Sequence, residues 1–288
     1  MSASPDSSSK SVLVTGASSG IGQAAALALA ERGWRVFATA RRDEDLTRLR
    51  EAGLTAVYLD LNESESIAAC VETVLAATGG RLDALFNNAA YGQPGAVEDL
   101  SRAVLRAQLE TNLLGTHELT CRVLPAMRRQ GGGRIVQNSS VLGLAALPYR
   151  GAYVCSKFAL EGLTDTLRLE LDGSGIHVSL IEPGPITSRF RETAYRAFKA
   201  HIDTASSAHA ETYRAVEARL AGDDGGGRFT LGPEAVVEKL LHALESRRPK
   251  ARYYVTVPTH LFGTLRRLLG TRLLDRLLLR STRDERRL

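Results

Sequence analysis

Short β-branched and aliphatic runs alternate with longer helical patterns along almost the whole chain. That rhythm limits the fold more than any single residue does. Ser11–Thr15 reads as a buried strand, and Ile21–Arg32, rich in Ala and Leu, as a helix. Arg35–Ala40 reads as a second strand, followed by a charged helix around Glu44–Glu51. Thr55–Leu59 and Ala84–Asn87 supply the third and fourth strands. Arg134–Asn138 and His177–Ile181 each follow a long helix, and Tyr253–Val257 adds a seventh strand. This repetition predicts an α/β fold: a doubly wound parallel sheet of Rossmann type, about seven strands wide, with helices on both faces. No internal repeat or linker splits residues 11–258. Thr187–Gly232 reads as an insertion between the sixth strand and a helix starting near Pro233. Residues 1–10 are polar and Ser-rich and read as a disordered tail, while residues 259–288 form a basic extension.

Composition removes several classes of protein. With 44% hydrophobic and 24% charged residues in 288, the chain can bury a core and is not globally disordered. Cys70, Cys121 and Cys155 lie far apart without paired spacing, which excludes a zinc ribbon or disulfide framework and points to a reducing compartment, the cytoplasm. No apolar run reaches the ~18 residues that a spanning helix needs. Residues 247–288 carry twelve Lys or Arg against three Asp or Glu, a net of +9, which leaves −4 for the rest of a chain at +5. The basicity therefore belongs to the C-terminal segment, and no nucleic-acid-binding domain is expected.

The first strand runs into Thr15-Gly16-Ala17-Ser18-Ser19-Gly20-Ile21-Gly22 and then a helix. Glycines there let the backbone turn tightly against a pyrophosphate, and the helix aims free amides and its positive dipole end at the anion. An ordinary strand-to-helix turn rarely needs three glycines, so a dinucleotide site is the better reading. The second strand ends Ala38-Thr39-Ala40-Arg41-Arg42. It lacks the acidic residue that binds ribose hydroxyls in NAD sites. Two guanidiniums follow, suited to a 2′-phosphate, so NADP(H) is the expected cofactor. A solvated charged loop, continued by Asp43 and Glu44, is the alternative.

Tyr153 and Lys157 stand four residues apart in a helical stretch, Ala152–Leu171, which puts them on one face a turn apart. A free phenol, with a pKa of about 10, is a poor base at neutral pH, and a neighbouring ammonium lowers that value. Ser139-Ser140 ends the fifth strand, where open α/β sheets bind ligands.

Taken together, the glycine motif, Asp60, Asn87-Asn88-Ala89-Ala90, Asn112, Ser140, Tyr153, Lys157 and Pro183-Gly184 resemble the short-chain dehydrogenase/reductase family in order and spacing, over roughly Ser11–Val257. Ala90 departs from the family's usual Gly. Leu147–Tyr153 and Ser156–Leu160 resemble the branch that handles hydroxysteroids, retinoids and long-chain aldehydes. The resemblance implies that Tyr153 is the general acid in reduction and the base in oxidation. Lys157 would hold the nicotinamide ribose and depress the tyrosine pKa, Ser140 would polarise the substrate carbonyl, and Asn112 would hold a water in a proton relay behind Lys157. It also implies that Gly16, Ser18, Ser19, Gly20, Ile21 and Gly22 cradle the phosphates. Asp60 and Leu61 would meet the adenine, and Asn88 would line the adenosine side. Pro183, Gly184 and the backbone of Ile186 would seat the carboxamide, with Thr187 or Ser188 near the phosphates.

The expected activity is NADP(H)-dependent interconversion of a carbonyl and an alcohol on a small, largely apolar substrate. A catalytically silent NADP(H)-binding sensor or scaffold is the rival. Phe190, Tyr195, Phe198, Tyr213 and Phe229 make the 187–232 insertion a lid for an apolar ligand. A homodimer or homotetramer is expected. Cys155 reads as a buried structural thiol, since helical phase turns it from the Tyr153/Lys157 face. The six histidines show no metal-ligand spacing, and no metal is expected. Between His260 and Leu279, two short amphipathic helices break at Gly270. They are expected to wall the substrate cleft or meet a partner subunit, with peripheral contact at the inner membrane surface as the second option.

Overall fold

The computed structural model of the chain describes residues 9–222, 227 and 229–283. Residues 1–8 of the expected tail and most of the Asp223–Gly227 run lie outside them. Seven strands, β1 (Ser11–Val14), β2 (Arg35–Ala40), β3 (Thr55–Tyr58), β4 (Ala84–Asn87), β5 (Gly133–Asn138), β6 (Ile176–Glu182) and β7 (Arg252–Tyr254), form one sheet in the order β3-β2-β1-β4-β5-β6-β7. Every adjacent pair is parallel. The order reverses between β1 and β4, so a crevice opens beyond their carboxyl ends, where such sheets bind ligands.

Strand side chains alternate between two cores, as a period of two requires. Val12, Val14, Phe86, Val136 and Ile181 face one side of the sheet, whereas Leu13, Leu85, Ile135 and Val178 face the other. Helices α1 (Gly20–Glu31) and α9 (Glu234–Glu245) close the first core through Ala25, Ala26, Leu29, Val236 and Leu240. The small alanines of α1 bring its axis close to the strands. On the other side α3 (Ser64–Ala77) and α5 (Gly115–Arg129) bring Ile67, Val74, Leu119, Val123 and Met127. Helix α2 (Asp43–Glu51) covers the β2–β3 end, and α4 (Arg102–Leu109) joins α5 through a π-helical turn at Glu110–Leu114. Helix α6 (Gly151–Glu170) packs on β6 and on the turn at Val141–Gly143 that follows β5.

The insertion is more ordered than a loop. It holds α7 (Phe190–His201) and α8 (Ala210–Ala221), which share a separate hydrophobic cluster of Ala96, Ala194, Phe198, Ile202, Tyr213, Val216 and Leu220. The Tyr213 hydroxyl accepts from the Ala96 amide at 2.9 Å and donates to Asp99, tying α8 to the loop after β4. A parallel bridge between Ile186 and Leu231 closes the base of the insertion. The seventh strand stops earlier than the sequence suggests. Thr256 caps α10 (Val257–Leu268), and Pro258, suited to a helix's first turn, turns the chain out of the strand. Helix α11 (Thr271–Ser281) follows, so the extension has the two expected helices, separated at Gly270.

Because the 187–232 insertion has its own small core, it should loosen without unfolding the sheet. Phe198→Ala should expose the 190–221 segment to limited proteolysis, while Leu240→Ala in the main core should lower the melting temperature more. Core truncations of this kind cost about 2–5 kcal/mol. A global unfolding transition as depressed by Phe198→Ala as by Leu240→Ala would show that lid and sheet are one cooperative unit.

Candidate active site

The glycine turn closes through side chains from two neighbouring strands. The Thr15 hydroxyl accepts from the amides of Asn88 at 2.8 Å and Ala89 at 2.9 Å. The Asn88 amide nitrogen donates to the carbonyls of Thr15 at 2.9 Å and Gly16 at 3.2 Å, and its oxygen accepts from Asn138 at 2.9 Å. The Asn88 side chain thus braces the turn. Gly16 has φ +66°, and a Cβ at Gly22 would sit 2.2 Å from the Gly16 carbonyl oxygen. Ser19 starts α1 without a side-chain cap, and no acidic residue occupies the first turn. Those amides and the helix dipole are left for an anion, which fits a dinucleotide pyrophosphate. Ser18, Gly20 and Ile21 complete the turn. Ser188, at the base of the lid, lies beside it: a Cβ at Gly20 would stand 3.1 Å from the Ser188 Cβ.

At the adenosine end the two arginines part ways. Arg42 is held by Asp45 in a bidentate pair, at 2.8 and 3.1 Å. Arg41 is largely exposed and meets Asp60 at 3.9 Å. Asp60 also accepts from the backbone and side chain of Asn62, both at 2.9 Å, and Leu61 is buried beside it.

The chemical groups gather at the carboxyl end of β5. The Lys157 ammonium, buried in α6, donates to the Asn138 carbonyl at 2.7 Å and lies 5.6 Å from the centre of the Tyr153 ring. Removal of water lowers its pKa to about 8, against the pull of Glu161 one turn away. Desolvation pushes the Tyr153 phenol above its ordinary value, and a hydrogen bond with Ser140 opposes it. This direction is the reverse of the depression expected from a neighbouring lysine, with burial as the main cause. Burial thus favours the neutral phenol and weakens the ammonium beside it. Ser140 also accepts from the Leu142 amide at 3.1 Å, which fixes its hydroxyl oxygen at the strand's end.

Asn112 sits in the π-helical turn, where the extra residue re-aims its side chain. Its amide nitrogen donates to the Tyr91 carbonyl at 2.9 Å and to the Ser156 hydroxyl at 3.2 Å, and its oxygen accepts from the Tyr91 amide at 3.1 Å. The side chain therefore pins the loop after β4 to α6, between Tyr153 and Lys157. Pro183 accepts from the Val141 amide at 2.8 Å, and a Cβ at Gly184 would lie 2.0 Å from the Thr256 hydroxyl. Ile186 and Ser188 begin the lid. Cys155 corrects one expectation: it is exposed, because the phase that turns it from Tyr153 and Lys157 points it to solvent.

Three contacts escaped the sequence, although Phe190 itself was expected over the substrate. Phe190, the first residue of α7, packs edge-on to Tyr153 with ring centres 5.3 Å apart. A Cβ at Gly92 would come within 2.9 Å of that Phe190 ring, so glycine there makes room for the lid. Behind Lys157, Arg252 of β7 bonds the buried carboxylates of Glu161 and Glu182, the latter at 2.9 Å, and also Asp165 at 2.5 Å. Burial raises Glu182 to about 8, with Glu161 adding repulsion and Arg252 opposing. Arg189, beside Ser188, lines an open groove with Arg42 and Arg48. Its position just before an aromatic lid residue was the only signal available.

Comparison with known proteins agrees with this geometry. Residues 10–198 match the family model described as short chain dehydrogenase. The chain is 45% identical to the uncharacterized oxidoreductase YbbO of Escherichia coli K12, covering 93% of this chain and 94% of that one. It is 36% identical to human 17-beta-hydroxysteroid dehydrogenase type 1, over 85% of this chain and 77% of that protein. Among solved structures, a variant actinorhodin polyketide ketoreductase with NADPH superposes with a TM-score of 0.71 at 30% identity, covering 88% and 97% of the two chains. A Burkholderia phymatum short chain dehydrogenase/reductase in complex with NAD does so with a TM-score of 0.76 at 26% identity, covering 90% and 92%. The chain belongs to the short-chain dehydrogenase/reductase family of oxidoreductases, on the side of that family related to hydroxysteroid dehydrogenases.

Proposed function

We propose that the protein is an NADP(H)-dependent reductase of apolar aldehydes or ketones, working by hydride transfer with Tyr153 as the acid. The observation that carries this reading is the meeting of Ser140, Tyr153 and buried Lys157 at the end of β5, under an aromatic lid. The glycine turn and the uncapped start of α1 suit the pyrophosphate, and Arg41 suits a 2′-phosphate. A bound nicotinamide supplies the hydride. The Ser140 hydroxyl donates to the substrate oxygen and fixes its distance from Tyr153. As negative charge grows on that oxygen, the Tyr153 hydroxyl gives up its proton to it. The Lys157 ammonium holds the ribose and stabilises the resulting phenolate. Asn112 keeps the loop after β4 and α6 in register around these groups. A phenol that burial holds protonated supports the reductive direction.

Phe190 against Tyr153, and the apolar core of the lid behind it, support a hydrophobic substrate over a sugar or hydroxy acid. The similarity to a 17-beta-hydroxysteroid dehydrogenase supports the same class. Exposed Leu114, just before α5, and Leu163 on α6 leave apolar surface for a second copy, which supports a homodimer or homotetramer. Among the described residues no helix is long and apolar enough to cross a membrane. Three free thiols suit a reducing compartment such as the cytoplasm. The complete set of Asn112, Ser140, Tyr153 and Lys157 argues against a silent sensor.

Two experiments test the reading. NADPH oxidation is followed over a panel of long and short aldehydes, ketosteroids, retinal and small ketones. Turnover should favour the long apolar members, and Tyr153→Phe should lower it on the order of a hundred- to ten-thousandfold with NADPH binding intact. Turnover within a few-fold of the wild type would mean that another group is the acid. Separately, NADPH should bind more tightly than NADH. Arg41→Ala should remove about 1.5–3 kcal/mol, or roughly ten- to a hundredfold, from NADPH alone. Equal affinities in the wild type would end the NADP(H) assignment.

A further inference from the structure

The outer face of the C-terminal extension takes no part in the site above. Helical spacing lines up Val257, Leu261, Thr264 and Leu268 along α10, and the three apolar members are 61, 50 and 74% exposed. An amphipathic helix ordinarily turns such a stripe inward. The inner side of α10 is already occupied by other residues. Thr259 and Gly263 are buried there, and Arg266 donates to the Leu144 carbonyl at 2.8 Å and lies 4.6 Å over the Phe158 ring. These contacts fix the helix and leave the stripe facing out.

Beside the stripe, between α9, β7 and α10, lies a cavity of about 440 Å³. Lys239, Lys250, Arg252, Arg267, His242 and His260 line it, with Glu238 as its one carboxylate. Lys239 is paired with Glu238 at 2.7 Å, and the charge of Arg252 is met by the carboxylates behind Lys157. Lys250 and Arg267 have no carboxylate partner among the described residues, which leaves a net positive cavity. His260 and Arg267 enter it from α10 itself, along one flank of the stripe. Helix α11 continues the pattern, with Leu278 buried while Leu273, Arg272, Arg276 and Arg280 face outward. Residues 257–283 hold six arginines and a single acidic residue, Asp275.

We propose that this face docks on an anionic lipid bilayer. The Val257–Leu261–Leu268 stripe enters the acyl boundary, and the cavity takes a lipid phosphate between Lys250 and Arg267. Charge selects the occupant. Apolar residues flanked by unpaired cations match an anionic interface. A second copy seated on the same patch would set two arginine-rich faces against each other. The inner side of α10 touches the turn after Ser140, so docking sets the substrate end beside a phase in which apolar carbonyls dissolve. That consequence rests on the proposed function; the docking itself does not.

The full chain is sedimented with vesicles of phosphatidylcholine alone or phosphatidylcholine with phosphatidylglycerol, at low and high salt. Binding should require phosphatidylglycerol, weaken with salt, and fall on the order of tenfold in Leu268→Asp and in Lys250→Glu/Arg267→Glu. Circular dichroism and cofactor titration should be unchanged in these surface variants, which shows that they are folded. No binding to anionic vesicles, equal binding to both vesicle types, or full binding by the folded variants would overturn the proposal. So would a wild-type dimer that Leu268→Asp dissociates without any vesicle binding, which would assign the face to a second copy. Vesicle binding without turnover on any carbonyl would retire the functional reading and leave docking standing.

Discussion

An ammonium cut off from water stays charged only if the fold replaces the lost oxygens. The fold does this for Lys157 with one backbone carbonyl, that of Asn138 at 2.7 Å. Much of the site follows from that bond. It requires α6 to hold one register against the end of β5. That register sets Tyr153 a turn earlier, against Ser140 at the strand's end. Asn138 also donates its side chain to Asn88, which holds the glycine turn. One residue of β5 thus ties the glycine turn to the Ser140, Tyr153 and Lys157 cluster.

The charge does not stand alone in the interior. Glu161, one turn beyond Lys157, shares Arg252 with fully buried Glu182. Two buried carboxylates around a single guanidinium are tolerable only as a hydrogen-bonded set, and losing the arginine would leave both uncompensated. Because Arg252 comes from the last strand, the site depends on the far edge of the sheet as well as on its centre. The same edge carries the cationic cavity and α10, which supports the turn after Ser140.

Much of this was legible in the sequence because it is local. The glycine turn, the four-residue spacing of Tyr153 and Lys157, and the alternating strands each follow from a few consecutive residues. The helix over 151–170, the seven parallel strands and the pair of C-terminal helices appeared close to where their patterns predict them. What the sequence concealed depends on distant contacts. Gly92 carries no local signal, since the Phe190 ring that lies against it comes nearly a hundred residues later. Nothing local sets Arg252 apart from its basic neighbours, because its partners Glu161, Asp165 and Glu182 lie on other elements. The lid's hydrophobic cluster was hidden because its members are spread between Ala96 and Leu220. The direction of the Tyr153 shift depended on how completely the fold excludes water, which spacing does not report.

Central to the account is a protonated phenol working beside a buried lysine whose pKa lies near 8. The pH dependence of kcat/KM for carbonyl reduction tests it most directly. A lowered lysine pKa means that the cation is present below about pH 8 and lost above it, while Tyr153, shifted upward, keeps its proton through the same range. The profile should be level from neutral pH and then fall through a limb near pH 8, about tenfold per pH unit once the lysine is neutral. A rate that stays level to pH 10, or rises through pH 8, would contradict the account.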